Sequence, residues 1–457
     1  MARKKKSEVV INNSDQILKE YKPIGQLTEE AYISYGGYIN NNRAICNLDG
    51  LKVSYRRLIY TAMGFPKGKL VPSLTLISAI TQFSPHGVAN LNLVNSALVR
   101  AGIFKGRGFF GSVSMNMYSS NHSSVVSDPS NERYLSSGLS DAYWELLEDT
   151  IKETPMHMSP QDNMEPDFIP LPLPCCLYMK DPIEGLGLAV RSSYPIFDVW
   201  SLYDAYIHND PWRLKSRVDI PIDYSNSELD KLWTTGKGRI TYVYKVSKQI
   251  SPDGKSEGVL FETTDGTGLF TPNFKAFAKL SEEGKVYGED VSDVNGEKYF
   301  IGRVPGARGI TIEDIEALAR KCNYMSQEYS LMVSDGQSCF RIPLCSWLDF
   351  TYKRYIDIVV KVNQKKILKT EFNIAVLEAL PTISDYIINK NSKATDKEIC
   401  DTFGFHPDVV KEVMQKPISY LRKNKDTTTR LKNLKAELKE LKKFDPVKYT
   451  EEIIKKL

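Results

Sequence analysis

The dipeptide Arg133-Tyr134, in SNERYLSSGLSDAYWELL, places a phenol beside a guanidinium. A tyrosine oxygen can attack phosphorus and hold the product as a covalent ester, provided that neighbouring groups stabilise the developing charge. A free phenol has a pKa of about 10, so at neutral pH it needs a proton acceptor or strong cationic help. Groups of those kinds lie upstream: Arg43 and Lys52 in NNRAICNLDGLKVSYRR, His86 in FSPHG, and Arg107 in KGRGFFGS. Tyr118 is the fallback nucleophile. It lacks an adjacent arginine and a following amphipathic helix, and so ranks below Tyr134.

These residues need elements to hold them. Thr28 is a predicted N-cap for EEAYISYGGYI, and Asp49-Gly50 is a turn signal before the helix LKVSYRRLIYTAMGF. There Val53, Leu58 and Met63 are expected inside, with Lys52, Arg56 and Arg57 on the polar side. Arginines sharing a helical face suit a phosphate backbone, because the guanidinium fork matches two phosphate oxygens; far more often such a cluster is only a solvated face. Leu76, Ile80 and Phe83, then Leu91, Val94 and Leu98, recur with helical spacing around Ser84-Pro85-His86-Gly87. Helix, glycine turn, helix is the arrangement that presents a second helix to a DNA groove, with Asn90, Asn92 and Asn95 expected on its polar side. Most such pairs, however, are simply packed helices.

KGRGFFGS matches G-x-G-x-x-G at residues 106–111, but a Ser/Asn-rich loop from Val113 to Glu132 follows instead of a helix, so it is no dinucleotide loop. No phosphate-binding G-x-x-x-x-G-K-[ST] occurs, which places any ATP chemistry elsewhere. After Tyr134 a helix is expected with Leu139, Tyr143 and Leu146 on one face, fixing the phenol against a rigid element. The prolines of EPDFIPLPLPCC mark a boundary, and GLGLAV sets Leu186 between glycines. Such a leucine is usually core, and less often a wedge between base steps. Residues 215–345 alternate like strands in an α+β region. From Trp347 to Leu380, Ile356, Val360, Ile367 and Ile374 repeat at near-heptad steps up to Pro381, and Leu431, Leu434, Leu438 and Leu441 repeat later. Two long helices around a small helical unit (391–424) can pair antiparallel.

At 457 residues the chain exceeds one compact core, and its net charge of +4 does not by itself announce a nucleic-acid binder. Any basic surface is local, the Arg3-Lys4-Lys5-Lys6 arm included. The 7 cysteines show no C-x-x-C spacing and read as reduced thiols, with no metal site in this chain. No run of eighteen apolar residues is present, so no membrane span is expected.

Taken in order, these segments resemble the breakage-reunion subunit of type IIA DNA topoisomerases, the family that includes the DNA-cleaving chains of gyrase and of topoisomerase IV and the T-even phage medium subunit. NNRAICNLDGLKVSYRRLIYTAM is similar to the family segment that reads through a DGLKP-type turn into a basic helix. FSPHG resembles its HPHG turn, with His86 at the second histidine and Ser84 at the first. GRGFFGS resembles its QGNFGS loop, with Phe109 in place of asparagine. Arg133-Tyr134 falls on the family's arginine and nucleophile, and Leu186 on its DNA-bending residue. Val88 stands where the family has an acid, and the 113–132 loop is longer than the family spacing.

The resemblance implies an α+β multidomain fold. Its parts are a basic arm (1–27), a winged-helix breakage-reunion domain (28–160), an α/β tower domain (161–346), and an antiparallel coiled coil with a helical exit gate (347–457). It implies that Tyr134 becomes linked to a 5′ phosphate while Arg133, His86, Lys52 and Arg43 handle charge and protons. Arg56, Arg57, Arg107 and Leu186 would contact duplex DNA. Cutting both strands requires a homodimer. Mg²⁺ and ATP would come from a partner carrying Toprim and ATPase modules, since no D-x-D cluster in matching context is found here. The chain ends without a DNA-wrapping domain of the gyrase kind, which suggests relaxation or decatenation rather than supercoiling. A cytoplasmic location, in a phage-infected host if phage-encoded, is expected. The rival reading is a non-catalytic, dimeric DNA-binding protein that keeps the same frame.

Overall fold

The computed structural model describes residues 23–83, 87–115, 124–159, 161–181, 183–217, 221–251, 254–262, 274–291, 298–389, 394–415 and 424–457. The chain is mixed α/β and divides into two compact units. The first holds residues 1–139, 160–163 and 173–349, and the second holds 140–159, 164–172 and 350–457. Most of the segments expected as separate DNA-binding and central domains therefore share the first unit.

Helix α1, Ile24–Ile39, runs into a π-helical turn at Asn40–Ala44. It begins before Thr28, because Pro23 supplies the extended entry and the Thr28 hydroxyl bonds back to the Ile24 carbonyl at 2.7 Å instead of capping. The turn at Asp49-Gly50 forms as expected: Gly50 has φ +76, and its chain lies so close to Cys175 that a Cβ would sit 2.3 Å from that residue's amide nitrogen.

Helix α2 (Val53–Ala62) is followed by β1 (Val71–Pro72), α3 (Ser73–Ile80), α4 (Val88–Arg100) and β2 (Phe104–Arg107). A hairpin of β3 (Ser112–Met115) and β4 (Ser124–Ser127) then precedes β5 (Ser136–Leu139). Strands β1, β5 and β2 make one antiparallel sheet with β5 central. Leu58, Leu76, Ile80, Leu91 and Leu98 bury beneath it.

Three expectations are corrected here. The 113–132 stretch contains a β-hairpin rather than only loop. A strand, Ser136–Leu139, comes first after Tyr134, because Gly138 passes so close to the Lys69 carbonyl that a Cβ would sit 2.7 Å from it; the expected helix starts only at Asp141 and runs to Leu147, with Tyr143 and Leu146 buried as expected and Leu139 left in the strand. Asn92 and Asn95 are buried at 6% and 0% exposure, leaving only Asn90 of the three on the outer face.

Further along the first unit, β6 (Glu184–Leu186) and β7 (Arg191–Ser193) form a hairpin at the edge of a four-stranded sheet with strands 324–330 and 237–243. A second four-stranded sheet joins strands 245–250, 257–262, 298–303 and 286–290.

The long helix α5, Leu344–Asn389, which belongs to the second unit from residue 350 onward, continues through Pro381 instead of stopping there. Pro381 faces solvent, where water can take over the hydrogen bond it removes. Helices α6 (Asp396–Phe403) and α7 (Pro407–Met414) follow, then α8 (Asn424–Leu441) and α9 (Pro446–Ile454). Helix α8 runs antiparallel to α5, with ion pairs Lys435–Glu378 (2.7 Å) and Lys442–Glu371 (2.8 Å) across the pair. Leu431, Leu434, Leu438 and Leu441 are half-buried along the seam. Beyond it, Leu380, Ile383, Ile399, Val410 and Val413 form a small separate core.

Candidate functional site

Tyr134 closes a single 3-10 turn, Glu132–Tyr134, at the head of β5. Asn131 caps that turn, its side-chain oxygen accepting from the Arg133 amide at 3.3 Å. The phenol is 70% exposed, and the Arg133 guanidinium carbon lies 4.8 Å from the ring centroid. At this distance the cation meets the ring face, an attraction that holds the two side chains together in solvent. Burial separates other phenols from this one: it pushes Tyr194, Tyr242, Tyr329 and Tyr355 well above the ordinary tyrosine value, so they stay protonated and out of reach.

Arg107 belongs to the same construction. It ends β2 opposite Ser136 of β5, and its side chain is exposed. The chain turns at Gly108, with φ +119, so tightly that a Cβ would meet Leu135 at 2.6 Å. A larger residue there would push the strand that follows Tyr134.

Arg43 and Arg57 converge elsewhere in the unit. With Asn42, Ser54 and Asn90 they line a cleft of about 220 Å³ whose other walls are Val53, Leu91 and Val94. No acidic side chain lines it, so the cleft favours an anion with hydrogen-bond acceptors, which describes a phosphate. Arg43 also lies 5.7 Å over the ring of Tyr38, a second arginine–tyrosine pair that the sequence did not single out. Arg56 does not join this face. It is 5% exposed, so the expected common surface of Lys52, Arg56 and Arg57 is corrected: α2 turns Arg56 into the protein and Arg57 toward the cleft.

Lys52 donates to the Glu184 carbonyl at 2.7 Å, which ties it to the β6–β7 hairpin. An ammonium has three donors, so the others stay available to an oxyanion. The same hairpin carries Leu186, which is 79% exposed. Asn40 secures the hairpin's turn, accepting from the Leu188 amide at 2.8 Å and donating to the Leu188 carbonyl at 2.9 Å. Gly185 packs against the Ala44 carbonyl and the Ser192 side chain, with no room for a Cβ. The segment that bears Arg43 and the hairpin that bears Leu186 are therefore built as one piece. That segment is in turn anchored to the 332–334 strand, where Ser334 donates from its amide to the Cys46 carbonyl at 2.9 Å and from its hydroxyl to Asn41 at 2.9 Å.

His86 and Tyr118 lie outside the described residues. Among the described residues no group of His, Cys, Asp or Glu side chains could hold a metal ion, and no helix is long and apolar enough to cross a membrane.

Beyond Tyr38, sequence reading missed Asn42 and Ser54 as cleft residues. Only their nearness in sequence to Arg43 and Arg57 could have suggested them. No protein-family model matches this chain, and no curated protein matches it.

Proposed function

We propose that this chain is the DNA-cleaving and rejoining subunit of a type IIA topoisomerase, with Tyr134 as nucleophile. The observation that carries the reading is the exposed phenol paired with Arg133 at the head of β5, whose partner strand β2 ends in Arg107 opposite Ser136. The order α2, β1, α3, α4, β2, β5, with β5 central in the sheet, supports a winged-helix arrangement in which the tyrosine rides the wing. The exposed Leu186 hairpin supports a wedge that bends a duplex. The antiparallel α5–α8 pair with its separate apical core supports a coiled-coil gate.

In the proposed step the Tyr134 oxygen forms a bond to phosphorus and the bond to the 3′ oxygen breaks. The phenolic proton passes to solvent and the departing oxygen takes one up to become a 3′ hydroxyl, so no net proton is gained or lost. Arg133 neutralises charge on the non-bridging oxygens, while Arg43, Arg57 and Lys52 grip neighbouring phosphates. The ester keeps the energy of the broken bond, so rejoining is the same step reversed and needs no nucleotide. A second copy would cut the other strand, and a partner protein bearing ATPase and Toprim modules would supply Mg²⁺ and drive passage of a second duplex.

The test mixes the chain with such a partner, supercoiled DNA and Mg²⁺, then quenches with detergent. Wild type is expected to yield protein covalently linked to DNA 5′ ends, and Tyr134→Phe none. Linkage that survives in Tyr134→Phe moves the nucleophile elsewhere. Absence of linkage in both, with duplex binding intact, favours a non-catalytic DNA-binding dimer.

A further inference from the structure

We propose that Asn92 and Asn95 of α4 are positioning residues for Tyr134, bracing its turn from both ends; the proposal rests on the strand-cleaving reading above. The two amides stand at i and i+3, one above the other on the inner face of the helix. At the entry to the turn, Asn92 donates to the Ser130 carbonyl at 3.2 Å, and the Ser130 amide donates to the Phe109 carbonyl at 3.0 Å.

At the exit, the Ser73 amide donates to the Leu135 carbonyl at 2.8 Å, immediately after the tyrosine. Asn95 holds that contact in place. It donates to the Ser73 hydroxyl at 3.3 Å and accepts from the Ser137 hydroxyl at 2.9 Å, and the two hydroxyls lie 3.0 Å apart. Ser73, Asn95 and Ser137 are all 0% exposed, so the triangle is closed to competing water.

Asn92 distinguishes positioning from simple stability. Its side-chain oxygen is buried and has no hydrogen-bond partner among the described residues. A buried amide that makes one bond and leaves its oxygen unmet contributes little net stability. What it does supply is a fixed distance between α4 and the start of the tyrosine turn. The outer face of α4 presents Asn90 and Leu93. A groove contact on that face is therefore coupled through the helix to the phenol.

The decisive variant is Asn92→Leu, which removes both the donor and the unmet oxygen at similar volume. Expected are a wild-type melting temperature, wild-type duplex affinity, and a rate of detergent-trapped linkage lowered by about tenfold or more, since small misplacements of a reacting group cost on this scale. Amide exchange at Arg133, Tyr134 and Leu135 should speed up in the same variant, and a merely structural role would leave it unmoved. Ser137→Ala should shift exchange at Leu135 in the same direction. Linkage and exchange both at wild-type values in Asn92→Leu overturn the bracing alone. A wild-type chain that forms no linkage overturns the cleavage reading, and the exchange measurement then decides the bracing by itself.

Discussion

The tyrosine turn and the α5–α8 helix pair are held by opposite kinds of contact. Around the turn, short side chains bond one another and main-chain carbonyls inside a dry interior, as in Ser73, Asn95 and Ser137. Along the helix pair, a seam of half-buried leucines is flanked by long side chains that meet in water: Lys435 and Glu378 are 55% and 49% exposed. Buried hydrogen bonds resist salt and fix geometry, whereas exposed ion pairs add little energy and are screened. The first region is suited to placing an atom, and the polar flank of the second to responding to salt.

Four experiments probe that contrast. The largest loss is expected from Gly50→Ala, which forces an unfavourable left-handed backbone and drives a Cβ into the Cys175 amide at 2.3 Å. A loss of about 3 kcal/mol or more should appear in urea unfolding. Asn95→Ala comes next, at roughly 1–3 kcal/mol, because two buried hydroxyls lose their amide partner and keep only each other; that loss should be the same at low and high salt. If it shrinks in salt, the region is not held as described.

A smaller effect concerns acid. The Lys366 ammonium, and then Lys152, hold the Asp149 carboxyl below its ordinary value of 3.8. A carboxylate depressed on folding stabilises the fold above its unfolded value and loses that contribution as pH falls through the folded one. Lys366→Ala should therefore narrow the stability gap between neutral pH and pH below that value, read from denaturant midpoints. The smallest effect is expected from the exposed pair. A Lys435→Ala and Glu378→Ala double-mutant cycle should give a coupling of about 0.5 kcal/mol that vanishes near 1 M salt.

Much of this organisation is legible in the sequence, for reasons that differ by region. Heptad-like leucines announce α8, and isoleucines and valines announce α5, because periodicity is a local property. Pro381 is a stop signal by sequence but not in α5, since a proline's effect depends on whether its freed carbonyl meets solvent. Polarity alone points the asparagines of α4 outward, yet Asn92 and Asn95 are buried. Their partners, Ser73, Ser130 and Ser137, are distant in the chain. Arg56 turned inward for the same kind of reason: adjacent arginines cannot both face one cleft from a helix. The strand after Tyr134 was masked by helix-favouring residues from Asp141 onward, although Gly138 carried the opposite signal.

The hairpin of Leu186 is fastened at its base by Lys52 and at its turn by Asn40, on either side of Arg43. A load applied at the leucine therefore reaches the arginine as well, like two teeth on one key. Under the proposed function, a duplex that refuses to kink at the leucine would also sit poorly in the cleft, so stiff A-tracts should be avoided and easily unstacked pyrimidine–purine steps preferred. Selectivity among DNA sequences would then follow from mechanics, without a single base edge being read.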